Sequence, residues 1–169
     1  GTAQNELYYS FDYGNAHFVV LNDTVLDDAI LGNQEAAWLD ADLAAVDRTM
    51  TPWVFVMHHR QFYTCQSTHS PDTSLRAAWQ PIFDRYHVDF VLAGHNHVYE
   101  RSALIQGLDG SEGRVAPQGA NGIPVISAGV PSGTIYMVAA GVGAPLYPVN
   151  TTCPTSLEGE SVRNYVVFE

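Results

Sequence analysis

The sequence predicts an α/β sandwich built on a mixed β-sheet. Three observations carry that expectation. Strands and helices alternate in the order strand–helix–strand–helix–strand, a run of further strands follows, and two apolar runs have the pattern of strands buried on both faces.

Residues 7–13 and 17–21 are rich in aromatic and β-branched side chains and are joined at Gly14-Asn15, so they read as two short strands around a turn. Residues 33–47 read as a helix, because Leu39, Leu43 and Val46 fall at i, i+4 and i+7 on one stripe. The apolar run 51–57 is a buried strand ending at His58-His59. A polar loop, 66–73, leads to a second helix over 75–86, which Pro81 is expected to kink or restart. Residues 88–93 form the next buried strand, ending in Gly94-His95-Asn96-His97. A glycine-rich loop is expected near 107–122, with strands at 124–128, 133–139 and 164–168. Open α/β sheets place ligand sites at the carboxyl ends of their strands, where both histidine groups fall.

The chain of 169 residues suits one domain with a hydrophobic core, and its 46% hydrophobic content is globular. All seven basic residues are Arg, against eighteen carboxylates, for a net charge of −11. That balance excludes the basic face of a nucleic-acid binder. Residues 115–157 carry no charged side chain, but six prolines and many glycines in that stretch rule out a membrane-spanning helix there. No signal peptide is visible, and the opening Gly1-Thr2-Ala3-Gln4 reads as a processed or excised start. Cys65 and Cys153 are compatible with one disulfide or with two buried thiols, and the disulfide is the favoured reading. With the sequons at Asn22 and Asn150, they point to an extracellular or periplasmic setting.

His95 and His97 lie two apart at a strand end; if the strand ran on, both would project from one face. Imidazoles suit Zn and Fe. His17 alternates with apolar neighbours and reads as a core or supporting histidine, and His87 as a residue that caps or packs against a helix end.

The block Gly94-His95-Asn96-His97-Val98-Tyr99-Glu100-Arg101 resembles the G-H-x-H-x-Y-E-R signature of the purple acid phosphatases, within the calcineurin-like metallophosphoesterases. Residues 53–63, the stretch from Tyr8 to Leu21, and the helix carrying Trp38-Leu39-Asp40 resemble the same family, in the same order. The resemblance implies the carboxy-terminal half of a four-layer α/β/β/α catalytic domain. His59 and His95 would ligate one metal and His97 the other. His58 would be a neighbour shaping the site rather than a ligand, and His69, ten residues past His59, a substrate-facing histidine that binds phosphate or protonates the leaving alkoxide. Glu100 and Arg101 are expected to pair and brace the histidine loop, and Tyr63 and Tyr99 to line the pocket.

The implied cofactor is a dinuclear centre of Fe³⁺ with Zn²⁺, Mn²⁺ or Fe²⁺, and this half alone would hold a single Zn²⁺ or none. The family's G-D-x-x-Y and G-N-H motifs do not occur here; Gly14-Asn15-Ala16-His17 matches only superficially. Residues 1–169 are therefore read as a single domain whose partner half, with its bridging carboxylate, is missing, and the isolated chain as nearly inactive. The expected partners are a phosphate-ester substrate and that other half, with no nucleic acid and no membrane. The expected activity is hydrolysis of phosphate monoesters. Alternatives are a phosphodiesterase or nucleotide pyrophosphatase on the same scaffold, and a non-catalytic domain that keeps a histidine cluster.

Overall fold

The computed structural model describes residues 3–4, 7–24, 29–66, 68–107, 133–149 and 156–168. In chain order the elements are β1 (Ala3–Gln4), β2 (Tyr8–Tyr13), β3 (Ala16–Val20), α1 (Ala29–Ala44), β4 (Trp53–Met57), α2 (Thr73–Tyr86), β5 (Phe90–Ala93), β6 (Tyr99–Ile105), β7 (Thr134–Ala139) and β8 (Ser156–Glu160). They form one mixed sheet of order β1-β2-β3-β4-β5-β7-β6-β8. The central pairs β3–β4, β4–β5 and β5–β7 are parallel, and the outer pairs are antiparallel. The β2–β3 hairpin turns at Gly14, whose φ of 60° is in the left-handed region that glycine enters at little cost.

Strand alternation sorts the side chains onto two faces. Val19, Val54, Val56, Val91 and Tyr136 meet Leu39 and Leu43 of α1 and Leu75, Trp79 and Phe83 of α2 in one core. On the opposite face, Phe11, Phe18, Phe55 and Phe90 stand directly across from one another on adjacent strands. Each successive pair stacks at 5.1 Å between ring centroids. Phe168 closes edge-on over Phe55 and Phe90 at 4.9 Å. Among the described residues both helices lie on the first face, so the architecture is one helical layer and one sheet, with an aromatic second face.

Several expectations need correction. Helix α1 begins at Ala29, earlier than read, and α2 runs unbroken through Pro81. Pro81 is exposed, so its ring faces solvent and the helix forgoes one backbone hydrogen bond. The stretch 164–168 is irregular rather than a strand. Strands β6 and β8 were not anticipated, because Glu100, Arg101, Glu158 and Glu160 break any apolar pattern there. The expected strand at 124–128 and most of the glycine-rich loop lie outside the described residues.

Two buried ionisable groups tie α1 to the sheet. His17 Nδ1 lies 2.7 Å from Asp12 and Nε2 lies 3.0 Å from Asp42 of α1. Burial works against its charge, yet the two carboxylates hold its pKa above the ordinary value. His87, in contrast, ends α2 in the left-handed conformation, its N–H donating to the Phe83 carbonyl. Glu35 of α1 is fully buried and accepts the Asn22 N–H at 2.7 Å. Its removal from water, opposed by that hydrogen bond and aided by Asp23, pushes its pKa up to about 7. Between 4.5 and about 7 the folded chain therefore holds a proton that the unfolded chain has released, so this carboxyl costs stability progressively as pH rises through that window. Glu35→Gln is expected to melt close to wild type at pH 5 and above it at pH 8. A difference in melting temperature that stays constant with pH would contradict the assignment.

Candidate metal centre

The backbone ladder between β4 and β5 continues past the ends of the strands. His58 N–H donates to the Leu92 carbonyl at 3.1 Å, and Gly94 N–H donates to the His59 carbonyl at 2.9 Å. The turns that carry His59 and His95 are thus clamped side by side. Strand β5 stops at Ala93, and His95 adopts φ 67°. The short-range bonds Asn96 N–H to Gly94 O (2.8 Å) and Val98 N–H to Asn96 O (2.9 Å) fold the segment tightly. The histidines at 95 and 97 are consequently presented by a turn, not by one face of a continuing strand as the spacing suggested.

This turn brings His95 Nδ1 to 3.2 Å from His59 Nε2. Two imidazole nitrogens bound to one ion at about 2.0–2.1 Å, as in tetrahedral zinc sites, stand at a similar separation. The His95 pKa is lowered by burial and then by the neighbouring His69 and His59, which favours the neutral, ligating form. Gly94 makes room for this pair, since a Cβ there would lie 3.3 Å from His59 Nδ1. The donor set and spacing fit a metal.

His69 joins them, its ring centroid 4.0 Å from that of His95. His97 is held apart. Its Nδ1 donates to the Pro145 carbonyl at 2.9 Å and its ring stacks on Tyr147 at 4.4 Å. With Nδ1 acting as donor, Nε2 keeps its lone pair for a cation. Among the described residues no three His, Cys, Asp or Glu side chains are gathered closely enough to hold a metal on their own. A cavity of about 430 Å³ opens beside the pair, lined by Arg60, Thr68, His69, Asp72, Ser74 and His95.

The remaining predicted site residues lie elsewhere. His58 is buried against Phe62 and Trp79, at 4.6 and 5.6 Å, and neither of its ring nitrogens has a partner among the described residues. Burial pushes its pKa down to about 4, so it is a neutral core residue. Tyr63 turns into the core, its hydroxyl donating to Gln80 Oε1 at 2.8 Å, and Tyr99 packs against Leu104, Ile135 and Met137 on the other face of the sheet. Neither lines the cavity. Glu100 and Arg101 do not pair, because neighbours on a strand point to opposite faces. Arg101 meets Glu158 at 3.2 Å, whereas Glu100 accepts the Cys65 N–H at 2.7 Å and the Thr64 hydroxyl. Cys65 is disulfide-bonded, and Cys153 lies outside the described residues. Residues that the sequence reading did not single out also shape the site. Arg60 bonds to Asp23 through its backbone N–H and guanidinium, and to Asp72 at 2.9 Å, where Asp72 caps α2. Tyr147 gave no signal, because it sits in a charge-free stretch without periodicity.

A mixed sheet with helices on one face, delivering paired histidines from adjacent strand ends, is the architecture of a metallophosphoesterase. The sequence profile of the calcineurin-like phosphoesterases matches residues 2–99, and the chain belongs to that family, whose members are hydrolases. It is 40% identical to Purple acid phosphatase 23 of Arabidopsis thaliana over 100 residues, covering 59% of this chain and 21% of that protein. To the phosphoenolpyruvate phosphatase of Allium cepa it is 35% identical over 107 residues, covering 63% of this chain and 22% of that protein. Its fold matches the purple acid phosphatase PPD1 of yellow lupin (Lupinus luteus) seeds with a TM-score of 0.70 at 22% identity, covering 95% of this chain and 28% of that one. The chain thus spans only 21% to 28% of these relatives' lengths. No helix among the described residues is long and apolar enough to cross a membrane.

Because the Gly94 Cα–H faces the His59 ring so closely, Gly94→Ala is expected to displace that imidazole and weaken metal retention about 10-fold, the low end for losing support around a ligand. Competition with a chelating dye measures this, and unchanged affinity would show that the close contact has no bearing on the site.

Proposed function

We propose that this chain is the carboxy-terminal half of the catalytic domain of an enzyme that hydrolyses phosphate monoesters, an acid phosphatase with a dinuclear metal centre. The observation that carries this reading is the 3.2 Å approach of His59 Nε2 and His95 Nδ1, with His69 stacked beside them. His59 and His95 would hold one metal through those nitrogens, and His97 the second through Nε2. The other half would supply the remaining ligands, including a carboxylate, and its sheet would pack on the aromatic second face. Fe³⁺ with Zn²⁺, Mn²⁺ or Fe²⁺ is the metal pair that the family suggests. Lewis-acid polarisation of the phosphoryl group and a nucleophilic water at neutral pH are what the bound metals supply.

The protein's own residues do the rest. His69 faces the phosphoryl group and delivers a proton to the departing alkoxide oxygen. Arg60, tied to Asp23 and Asp72, keeps the His59 turn rigid and places its positive charge on the wall of the cavity. Tyr147 buttresses His97 by stacking. Alone, this half lacks the bridging carboxylate and is inactive or nearly so. The disulfide at Cys65 and the sequons at Asn22 and Asn150 support a secreted, glycosylated protein.

Assay of the full-length protein on aryl phosphate monoesters and diesters tests this reading. Monoester hydrolysis is expected, and His69→Ala is expected to lower kcat by about 10²-fold, the low end for a lost general acid. Hydrolysis of diesters alone would overturn the monoesterase reading. An upstream coding sequence without G-D-x-x-Y and G-N-H motifs would instead indicate a non-catalytic domain.

A further inference from the structure

Asn96, between the two histidines of the turn, is fully buried, and so is Gln61 in the loop after β4. Apolar side chains would be cheaper at both positions unless the amides had work to do. Asn96 Nδ2 donates one hydrogen to the carbonyl of His69 at 3.0 Å and the other to Thr64 Oγ1 at 3.0 Å. Gln61 Nε2 donates to the same His69 carbonyl at 3.1 Å and to that of Ser70 at 3.2 Å, while the Gln61 backbone carbonyl accepts the Asp72 N–H at 2.9 Å.

The chemistry of the partners fixes which way the Asn96 amide points. Thr64 commits its one proton to the Glu100 carboxylate, so towards Asn96 its oxygen only accepts. A backbone carbonyl likewise only accepts. Both contacts therefore require the NH₂ group, and Asn96 Oδ1 is left buried without a partner among the described residues, as is Gln61 Oε1. Two orphaned oxygens cost stability, and nothing in the packing of the core explains that cost. Both amides converge on one atom, the carbonyl oxygen of His69.

We infer that Asn96 and Gln61 are positioning residues, which grip the main-chain carbonyl of His69 and so hold its imidazole against His95, over the phosphate ester. This inference rests on the substrate-facing role given to His69 above. Neither residue touches substrate; both act through His69.

The test is a double-mutant cycle in the full-length, metal-loaded protein with an aryl phosphate monoester. Asn96→Leu is expected to lower kcat by roughly 10- to 100-fold with little change in KM, the loss expected from a catalytic group displaced by about 1 Å. Metal content should equal that of wild type. In a His69→Ala background the same substitution is expected to change kcat by less than about twofold, because its effect passes through the missing imidazole. An equal loss in both backgrounds, or no loss when His69 is present, would overturn the inference. Should Asn96→Leu fail to fold, Gln61→Met removes the second donor and enters the same cycle. A second readout does not depend on activity. In the metal-free protein, amide hydrogen exchange over 68–74 is expected to quicken in either variant, and exchange identical to wild type would overturn the inference on its own. If wild type hydrolyses no phosphate ester, the functional reading falls, and the exchange measurement alone decides the positioning claim.

Discussion

The site depends on the parallel register of β4 against β5 and on two backbone hydrogen bonds that extend it beyond the strands, from His58 N–H to Leu92 O and from Gly94 N–H to His59 O. Side chains on separate loops ordinarily carry the freedom of both loops. Here the ladder removes that freedom before any ligand arrives, and the entropy of bringing His59 to His95 is met by folding rather than by metal binding. The left-handed turn at His95 then aims one imidazole at the other. His69 stacks against this pair, while its main chain is held by Asn96 and Gln61.

Around the pair, the polar groups form a brace with few free members. Arg60 links Asp23, beside β3, to Asp72 at the start of α2, so the turn after β4 is anchored to both sides of the core. Glu100 anchors the Thr64–Cys65 segment from β6. Burial holds the Glu100 pKa above the ordinary value, opposed by hydrogen bonds from the Thr64 hydroxyl and the Cys65 N–H. A hydroxyl and a backbone N–H thus stand in for the neighbouring arginine that the sequence suggested as its partner. That arginine serves instead to pin the edge strand β8 through Glu158.

What the sequence made legible follows from periodicity and local chemistry. The apolar runs at β4 and β5, the stripe on α1 and the Gly14 turn are all local signals, and each yielded an element of the right type, with boundaries shifted by a few residues. The histidines at the strand ends were visible for the same reason. The remainder is tertiary. The choice of His59 over His58 comes from the motif resemblance, and its physical cause is tertiary, because the turn after β4 directs His58 towards Trp79. The partners of Glu100, the service of Tyr147 to His97 and the bond from Asn96 to the His69 carbonyl join residues far apart in the chain, and the bond from Gln61 to that carbonyl spans a loop without periodicity. No one-dimensional pattern encodes such contacts, and β6 and β8 escaped because charged residues with distant partners interrupt their apolar alternation.

The four-ring stack Phe11–Phe18–Phe55–Phe90 runs across four adjacent strands, and Phe168 covers its Phe55 and Phe90 end. Elemental analysis of the full-length protein tests the central claim most directly, with wild type compared with His59→Ala/His95→Ala. The account predicts two metals per wild-type chain and about one in the double variant, with the metal at His97 retained. Two metals in both proteins would contradict it, because the close pair at the ends of β4 and β5 would then not be what holds the ion.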